Sequence, residues 1–319
     1  MRVGSFVVAF VVVALAASSC GAPSESPAGS GDVSPTPTPA PSATPQGVAP
    51  PIVLMHGMAG FTDIAGMEYF NGVPEALRAD GYSVFTTSVD PFQSVEVRAS
   101  QAAAQIDAIL AETGATKVHL IGHSQGGLDA RYVVSALGYG DRVATITTIA
   151  TPHHGSKVAD VALGLIPGNA VSATAALADA LLGTATGTNA DIGTQTHELT
   201  ASYCDGTFNP ANPDDPRVTY YSVAGRTQPW LLVNPATTDI VNPIFYSSWF
   251  LEDAMEGDND GLVSQASATW GQLLGVVPAD HLDEIGLPPG AVKPFDHIRF
   301  YRRLAKFLYG QGPNPLSTP

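Results

Sequence analysis

Apolar and polar positions switch between two periods along most of this chain. Ile52-Val53-Leu54-Met55 is a short continuous apolar run, which predicts a buried strand ending at His56-Gly57-Met58-Ala59-Gly60. Val73 to Arg78 predicts a helix, stopped by Gly81, and Tyr82 to Thr87 the next strand. Val95 to Thr113 is rich in Ala and Gln and is followed by Gly114, which predicts a second helix and its stop. Lys117 to Ile121 reads as a strand, Gly127 to Val134 as a helix and the β-branched run Val143 to Ile149 as a further strand. Val218 to Val223 reads as another strand, and Ile298 to Tyr309 as an amphipathic helix carrying Arg299, Arg302, Arg303 and Lys306. Strands alternating with helices predict an α/β fold, a mostly parallel central sheet with helices on both faces.

Residues 158–200 break this rhythm. They are rich in Ala, Gly and Leu, and two short apolar helices are expected, Val158 to Leu165 and Ala173 to Leu182. Lying beyond the strand Val143 to Ile149, they read as a helical insertion over the mouth of the site.

The ends have a different composition. Met1-Arg2 followed by the apolar stretch from Val3 to about Ala17 is too short to span a bilayer comfortably and reads as a signal peptide, residues 1–19. Small residues before Cys20 resemble a bacterial lipoprotein signal, in which Cys20 is lipidated and anchors the chain to a membrane; the alternative is simple cleavage and release. Residues 20–50 are Pro, Ser, Thr, Ala and Gly, and cannot bury enough apolar surface to fold. One folded domain is expected over 51–312, with a flexible tail at 313–319. The formal net charge of −15 excludes the basic footprint that nucleic-acid binding needs. With two cysteines, Cys20 and Cys204, no disulfide framework is expected.

The chemistry is signalled by Gly122-His123-Ser124-Gln125-Gly126. G-x-S-x-G between a strand and a helix is a nucleophile elbow, a sharp turn that lifts a serine above a sheet at a helix N-terminus. A serine hydroxyl needs a general base, and the base needs an orienting acid. The chain order Ser, acid, His directs attention downstream. Asp260, in the loop Gly257-Asp258-Asn259-Asp260-Gly261, precedes His281 by 21 positions (281 − 260). His281 is preferred over His297, which is placed at the start of the last helix. Oxyanion donors are expected from the backbone N–H groups of Met58 and Gln125, with their side chains less important. The neighbours His153 and His154 read as structural, since adjacent histidines on a short turn rarely point the same way.

The chain resembles the bacterial true lipases of the Pseudomonas–Burkholderia type, within the α/β-hydrolase superfamily. The resemblance is carried by Pro51 to Phe61, Leu120 to Gly127, Ala150-Thr151-Pro152-His153-His154-Gly155-Ser156, Tyr220-Tyr221-Ser222, Asn259 to Val263 and His281-Leu282-Asp283-Glu284, in the family's order. It implies the triad Ser124, Asp260 and His281, and a lid at about 158–200. It also implies a structural calcium ion held by the side chains of Asp239 and Asp283 and by carbonyls near Leu287 and Ala291. Pro288-Pro289-Gly290 departs from the family's loop there. A bridge that family members often make from near Cys204 to just after the acid's loop has no second cysteine in Val263 to Ser267. Many relatives also require a lipase-specific foldase as partner.

The expected function is therefore carboxylic ester hydrolysis through an acyl-enzyme, with triacylglycerol at an oil–water interface as the favoured substrate. An esterase or polyester depolymerase with the same triad is the alternative. Outside enzymes, the alternative is a surface lipoprotein that binds lipid or a partner without catalysis. An exported protein, anchored on the bacterial cell envelope or secreted, is expected.

Overall fold

The computed structural model describes residues 48–60, 63–64, 67–165, 191–229, 241–287 and 295–317. In chain order, strand β1 (Ile52–Met55) is followed by a small antiparallel pair, β2 (Asp63–Ile64) and β3 (Met67–Glu68), and helix α1 (Val73–Ala79). Then come β4 (Val84–Thr86), α2 (Val95–Thr113), β5 (Val118–His123), α3 (Gln125–Ser135) and β6 (Val143–Ile149). Helices α4 (Lys157–Ala162) and α5 (Ile192–Glu198) precede β7 (Thr219–Gly225), α6 (Tyr246–Glu256), β8 (Gln272–Val277) and α7 (His297–Leu308).

Six strands form one sheet in the order β4-β1-β5-β6-β7-β8, every neighbouring pair parallel. A parallel sheet is covered on both faces, so its central strands are apolar throughout. All four residues of β1 are buried, and they alternate: Ile52 and Leu54 enter one core, Val53 and Met55 the other. The first core holds Phe70, Leu77, Ile121, Val223, Phe300, Tyr301 and Leu304, between the sheet and α1 with α7. The second holds Ala102, Ile106, Leu120, Val133 and Ile146, between the sheet and α2 with α3.

Local chemistry sets the helix ends. Ser94 caps α2 by accepting from the Val97 N–H, and Gly114 ends it at φ 69°. Asp296 caps α7 through the Arg299 N–H.

The topology positions the site. From β1 the chain moves to β4 on one side, then crosses to β5 on the other side of β1. The connections leaving the carboxyl ends of β1 and β5 therefore diverge and open a crevice, the usual ligand position of such sheets. The residues at these two ends are His56-Gly57-Met58 and Ser124.

Some expectations change. The helix expected over Val158 to Leu165 is the shorter α4, ended by a turn at Leu163 and by Gly164 at φ 68°. The helix expected over Ala173 to Leu182 lies outside the described residues. The tail expected to be flexible at 313–319 is held down over its described part. Asn314 Nδ2 donates to the Leu274 carbonyl, Arg303 Nη2 donates to that of Ser317, and Leu316 packs against Gly275. Among the described residues no helix is long and apolar enough to cross a membrane.

Candidate active site at the carboxyl edge of the sheet

The turn after β5 is strained. Ser124 has φ 55° and ψ −130°, a conformation that side chains other than glycine rarely adopt. It persists because its surroundings over-determine it. The Ser124 N–H donates to the Ile149 carbonyl, and the Ser124 carbonyl accepts from Thr151 Oγ1 and from the Gly127 N–H. The motif's glycines are needed for contact. A Cβ on Gly126 would lie 2.3 Å from the Met55 carbonyl oxygen, and one on Gly122 would lie 2.6 Å from the Gly126 backbone. A Cβ on Gly57 would lie 2.7 Å from the Ser124 Cβ, so the β1 loop and the elbow touch.

Asp260 and His281, far apart in the fold's connectivity, meet here. His281 Nδ1 lies 2.8 Å from Asp260 Oδ2, with both residues buried. Asp260 Oδ1 accepts from the N–H groups of Leu262 and Val263, and the His281 N–H donates to the Asp260 carbonyl. An ionised carboxylate only accepts, so Nδ1 carries the proton and Nε2 is left as the base. Gly261, at φ 101°, allows this loop to close against Phe245. The other histidines of the downstream chain serve elsewhere. His154 pairs with Asp205, and His297 begins α7 with its Nε2 on the Asn71 carbonyl. His153 is buried against Arg131 and Thr148, so the two adjacent histidines face different partners.

Met58 follows Gly57 in the β1 loop, and Gln125 opens α3, where the first-turn N–H groups have no intrahelical acceptor. The β1 loop is fixed by Arg98 on α2. Its Nη2 donates to the His56 carbonyl at 2.7 Å and to that of Gly57 at 3.3 Å, while Nε donates to Asp129 of α3. Burial pushes Asp129 up to about 7 against the pull of Arg98. His56 is held neutral, lowered to about 4 by burial and by Arg98. The Gln125 side chain matters more than its backbone role required. Its Nε2 donates to the Gln93 carbonyl, and its Oε1 accepts from Gln195 of α5 at 2.6 Å, which ties the elbow to the segment after residue 190.

A second chain of contacts joins the three loops. Tyr69 Oη is 2.8 Å from His123 Nδ1, and His123 Nε2 is 3.2 Å from Glu284 Oε2. Burial drives His123 well below its ordinary value, so the ring is neutral, with one donor and one acceptor nitrogen. Donation from Nε2 to Glu284 leaves Nδ1 to accept from the Tyr69 hydroxyl. The His123 and His281 rings are 4.6 Å apart. Donor atoms of His123, His281 and Glu284 lie within 4.8 Å of one another, the one such metal-type set among the described residues. Both nitrogens of His123 are committed to Tyr69 and Glu284, and His281 Nδ1 to Asp260.

Of the residues considered for calcium, Asp283 and Leu287 are buried in the loop after His281, and Asp239 and Ala291 lie outside the described residues. Asp283 shares this loop with Asp280, which burial and the Asp283 charge raise to about 6. Asp280 accepts from the N–H groups of Asn242, Leu282 and Asp283, so its oxygens are committed to the backbone. A second buried carboxylate beside it, at Asp283, suits a hard divalent cation. Cys204 is buried and free, its thiol pushed up to about 12 by burial.

The sequence pattern of the family described as alpha/beta hydrolase fold matches residues 50–281. The chain belongs to the alpha/beta hydrolase family. The hydrolase is 35% identical over 285 residues to a triacylglycerol lipase of Vibrio cholerae, covering 82% of this chain and 88% of that one. It is 31% identical over 291 residues to a triacylglycerol lipase of Pseudomonas fragi, covering 82% and 97%. Among solved structures, a mature Bacillus licheniformis lipase shares the hydrolase's fold with a TM-score of 0.58 at 23% identity, covering 77% of this chain and 90% of that one.

Proposed function

We propose that this hydrolase is a triacylglycerol lipase working through Ser124, His281 and Asp260. The observation that carries the reading is the Asp260–His281 pair, at the carboxyl edge of the sheet where the strained Ser124 turn also lies. Ser124 Oγ attacks the ester carbonyl carbon while His281 Nε2 takes its proton. Asp260, fixed by two backbone N–H groups, holds the imidazole and stabilises the imidazolium. The N–H groups of Met58 and Gln125 receive the charge that develops on the carbonyl oxygen. His281 returns the proton to the leaving alkoxide, the alcohol departs, and an acyl-Ser124 ester remains. Water then attacks it with His281 as base, releasing the fatty acid.

Calcium belongs to the same reading. The Asp239 and Asp283 side chains with the Leu287 and Ala291 carbonyls would hold it, and its charge would pin the loop that carries His281. The insertion at 158–200 acts as a lid. Lipidated Cys20 tethers the exported enzyme to the cell envelope, and a foldase is a candidate partner.

Emulsified long-chain triglyceride and a dissolved short-chain ester, each offered to wild type and Ser124→Ala, test this. Hydrolysis of both by wild type, higher on the emulsion and lost in the variant, is expected. Activity on the short ester alone makes the enzyme an esterase.

A further inference from the structure

Gln195, on α5, is polar and completely buried. Its side chain bridges the two segments that carry the proposed oxyanion donors. Nε2 donates to Gln125 Oε1 at 2.6 Å and to the Pro91 carbonyl at 3.0 Å. Gln125 opens α3 directly after Ser124. Pro91 lies in the loop between β4 and α2, and its carbonyl also accepts from the N–H of Ala59, the residue after Met58, at 3.0 Å. One amide nitrogen thus touches the residue after the nucleophile and, through a shared carbonyl, holds the loop after β1.

The orientation of these amides follows from their chemistry. A backbone carbonyl only accepts, so Gln195 presents its NH2 group to Pro91. The same NH2 needs an acceptor at Gln125, which leaves Gln125 Nε2 to donate to the Gln93 carbonyl. Turning either amide over would set oxygen against oxygen. Gln195 Oε1 is buried with no hydrogen-bond partner among the described residues. An unpaired buried polar atom costs free energy, so an apolar side chain would fill this space better. The donor end is what accounts for a glutamine here.

The segments it holds are strained. Ala59 has φ 54° and Ser124 φ 55°, conformations that persist only where neighbours over-determine them. Arg98 grips the loop after β1 on one side of Met58, through the His56 and Gly57 carbonyls. Gln195 acts on the other side, through Pro91 and Ala59. The base of Gln195 is itself fixed. The Asp191 N–H donates to the Phe92 carbonyl, and Glu198 Oε2 accepts from the Val95 N–H, so both ends of α5 are tied to the same loop. We propose that Gln195 is a positioning residue for the oxyanion donors, fixing the Met58 and Gln125 N–H groups relative to each other without touching substrate. This rests on the reading of Ser124 as nucleophile and of those N–H groups as its oxyanion donors. The oxyanion exists in the transition state and not in the bound ester, so a displaced donor lowers kcat and spares KM.

The test compares the full chain as wild type, Gln195→Met, Gln125→Met and the double variant on a dissolved short-chain ester. Methionine keeps the length of the side chain and removes its amide. Each single variant should lose about tenfold in kcat with KM nearly unchanged, less than the cost of deleting a donor outright. A trifluoromethyl ketone, whose adduct with a serine carries an oxyanion, should bind more weakly by the same factor. The limb of the pH profile that His281 sets should stay in place. The double variant should be no slower than the slower single one, because both substitutions break one link. Gln125→Met makes the comparison from the other side of that link should Gln195→Met not fold. Full kcat with unchanged ketone affinity overturns the proposal, whatever happens to Tm. Losses that multiply in the double variant also overturn it, as does a moved pH limb, which would put the effect on His281. Failure of the underlying reading looks different: wild type itself neither hydrolyses the ester nor binds the ketone, and both fall together.

Discussion

At the scale of single residues, the site depends on groups that touch no substrate. Tyr69 is the clearest. Its hydroxyl reaches His123 beside the nucleophile, and His123 reaches Glu284 three residues after His281. Tyr69→Phe leaves His123 Nδ1 buried without its donor, which costs about 1–3 kcal/mol. Because the elbow and the histidine's loop are both linked through this ring, kcat on a dissolved ester should fall roughly tenfold with KM nearly unchanged. Steady-state kinetics beside thermal melts would check it; a lower Tm with full kcat would reduce Tyr69 to a structural role. Ser124, Asp260 and His281 were legible because a motif and a fixed chain order point to them. Tyr69 and Arg98 were not. Each reaches the site through partners distant in sequence, as in Tyr69 to His123 (|i−j| 54) and Arg98 to His56 (42), and no local pattern records such a pairing.

At the scale of elements, legibility followed locality. The strand Ile52–Met55, the helix Val95–Thr113 and the strand Val143–Ile149 have the bounds their apolar runs and stops predict. Strand β8 and helix α6 went unread for physical reasons. Gly275, at φ 152°, interrupts the alternation of β8, a half-exposed strand at the sheet's edge. In α6 the buried Glu252 and exposed Phe250 interrupt the amphipathic pattern. Glu252 also makes the α4–α6 junction sensitive to pH. Burial, together with Glu256 on the same helix, pushes it up to about 8, against the Ser156 hydroxyl and the Lys157 and Val158 N–H groups that favour its charge. Lys157 and Asp160 of α4 complete the charged surroundings. In the unfolded chain the group titrates near its ordinary 4.5. Between these values the folded protein holds a proton that the unfolded chain has released, so this group's contribution to stability falls as pH rises through the window. Glu252→Gln removes that slope. The Tm difference, variant minus wild type, should grow from about pH 5 to about pH 8 and then level off. A pH-independent difference would contradict the assignment.

At the scale of the whole molecule, the sheet order determines where chemistry occurs. The crevice between the diverging β1 and β5 connections receives the loop after β1, the elbow and, from the far strands, the Asp260 and His281 loops. Alternating strands and helices made that architecture legible. Residues 158–200 were less so, because their sequence carries little periodic signal. The His281 loop has buried acids at Asp280 and Asp283, and a calcium ion there would stabilise the fold by mass action. Chelation should lower Tm by several degrees and calcium should restore it, with Asp283→Asn abolishing both responses. A chelator-insensitive Tm in wild type would remove calcium from the account.

The central claim is that Ser124 is the nucleophile. Intact-mass and peptide analysis after reaction with a serine-directed alkyl phosphonate tests it most directly. The account predicts one phosphonyl adduct, on Ser124, appearing in step with loss of ester hydrolysis and absent from Ser124→Ala. Full hydrolysis by that variant, or an adduct elsewhere that accompanies inactivation, would contradict it.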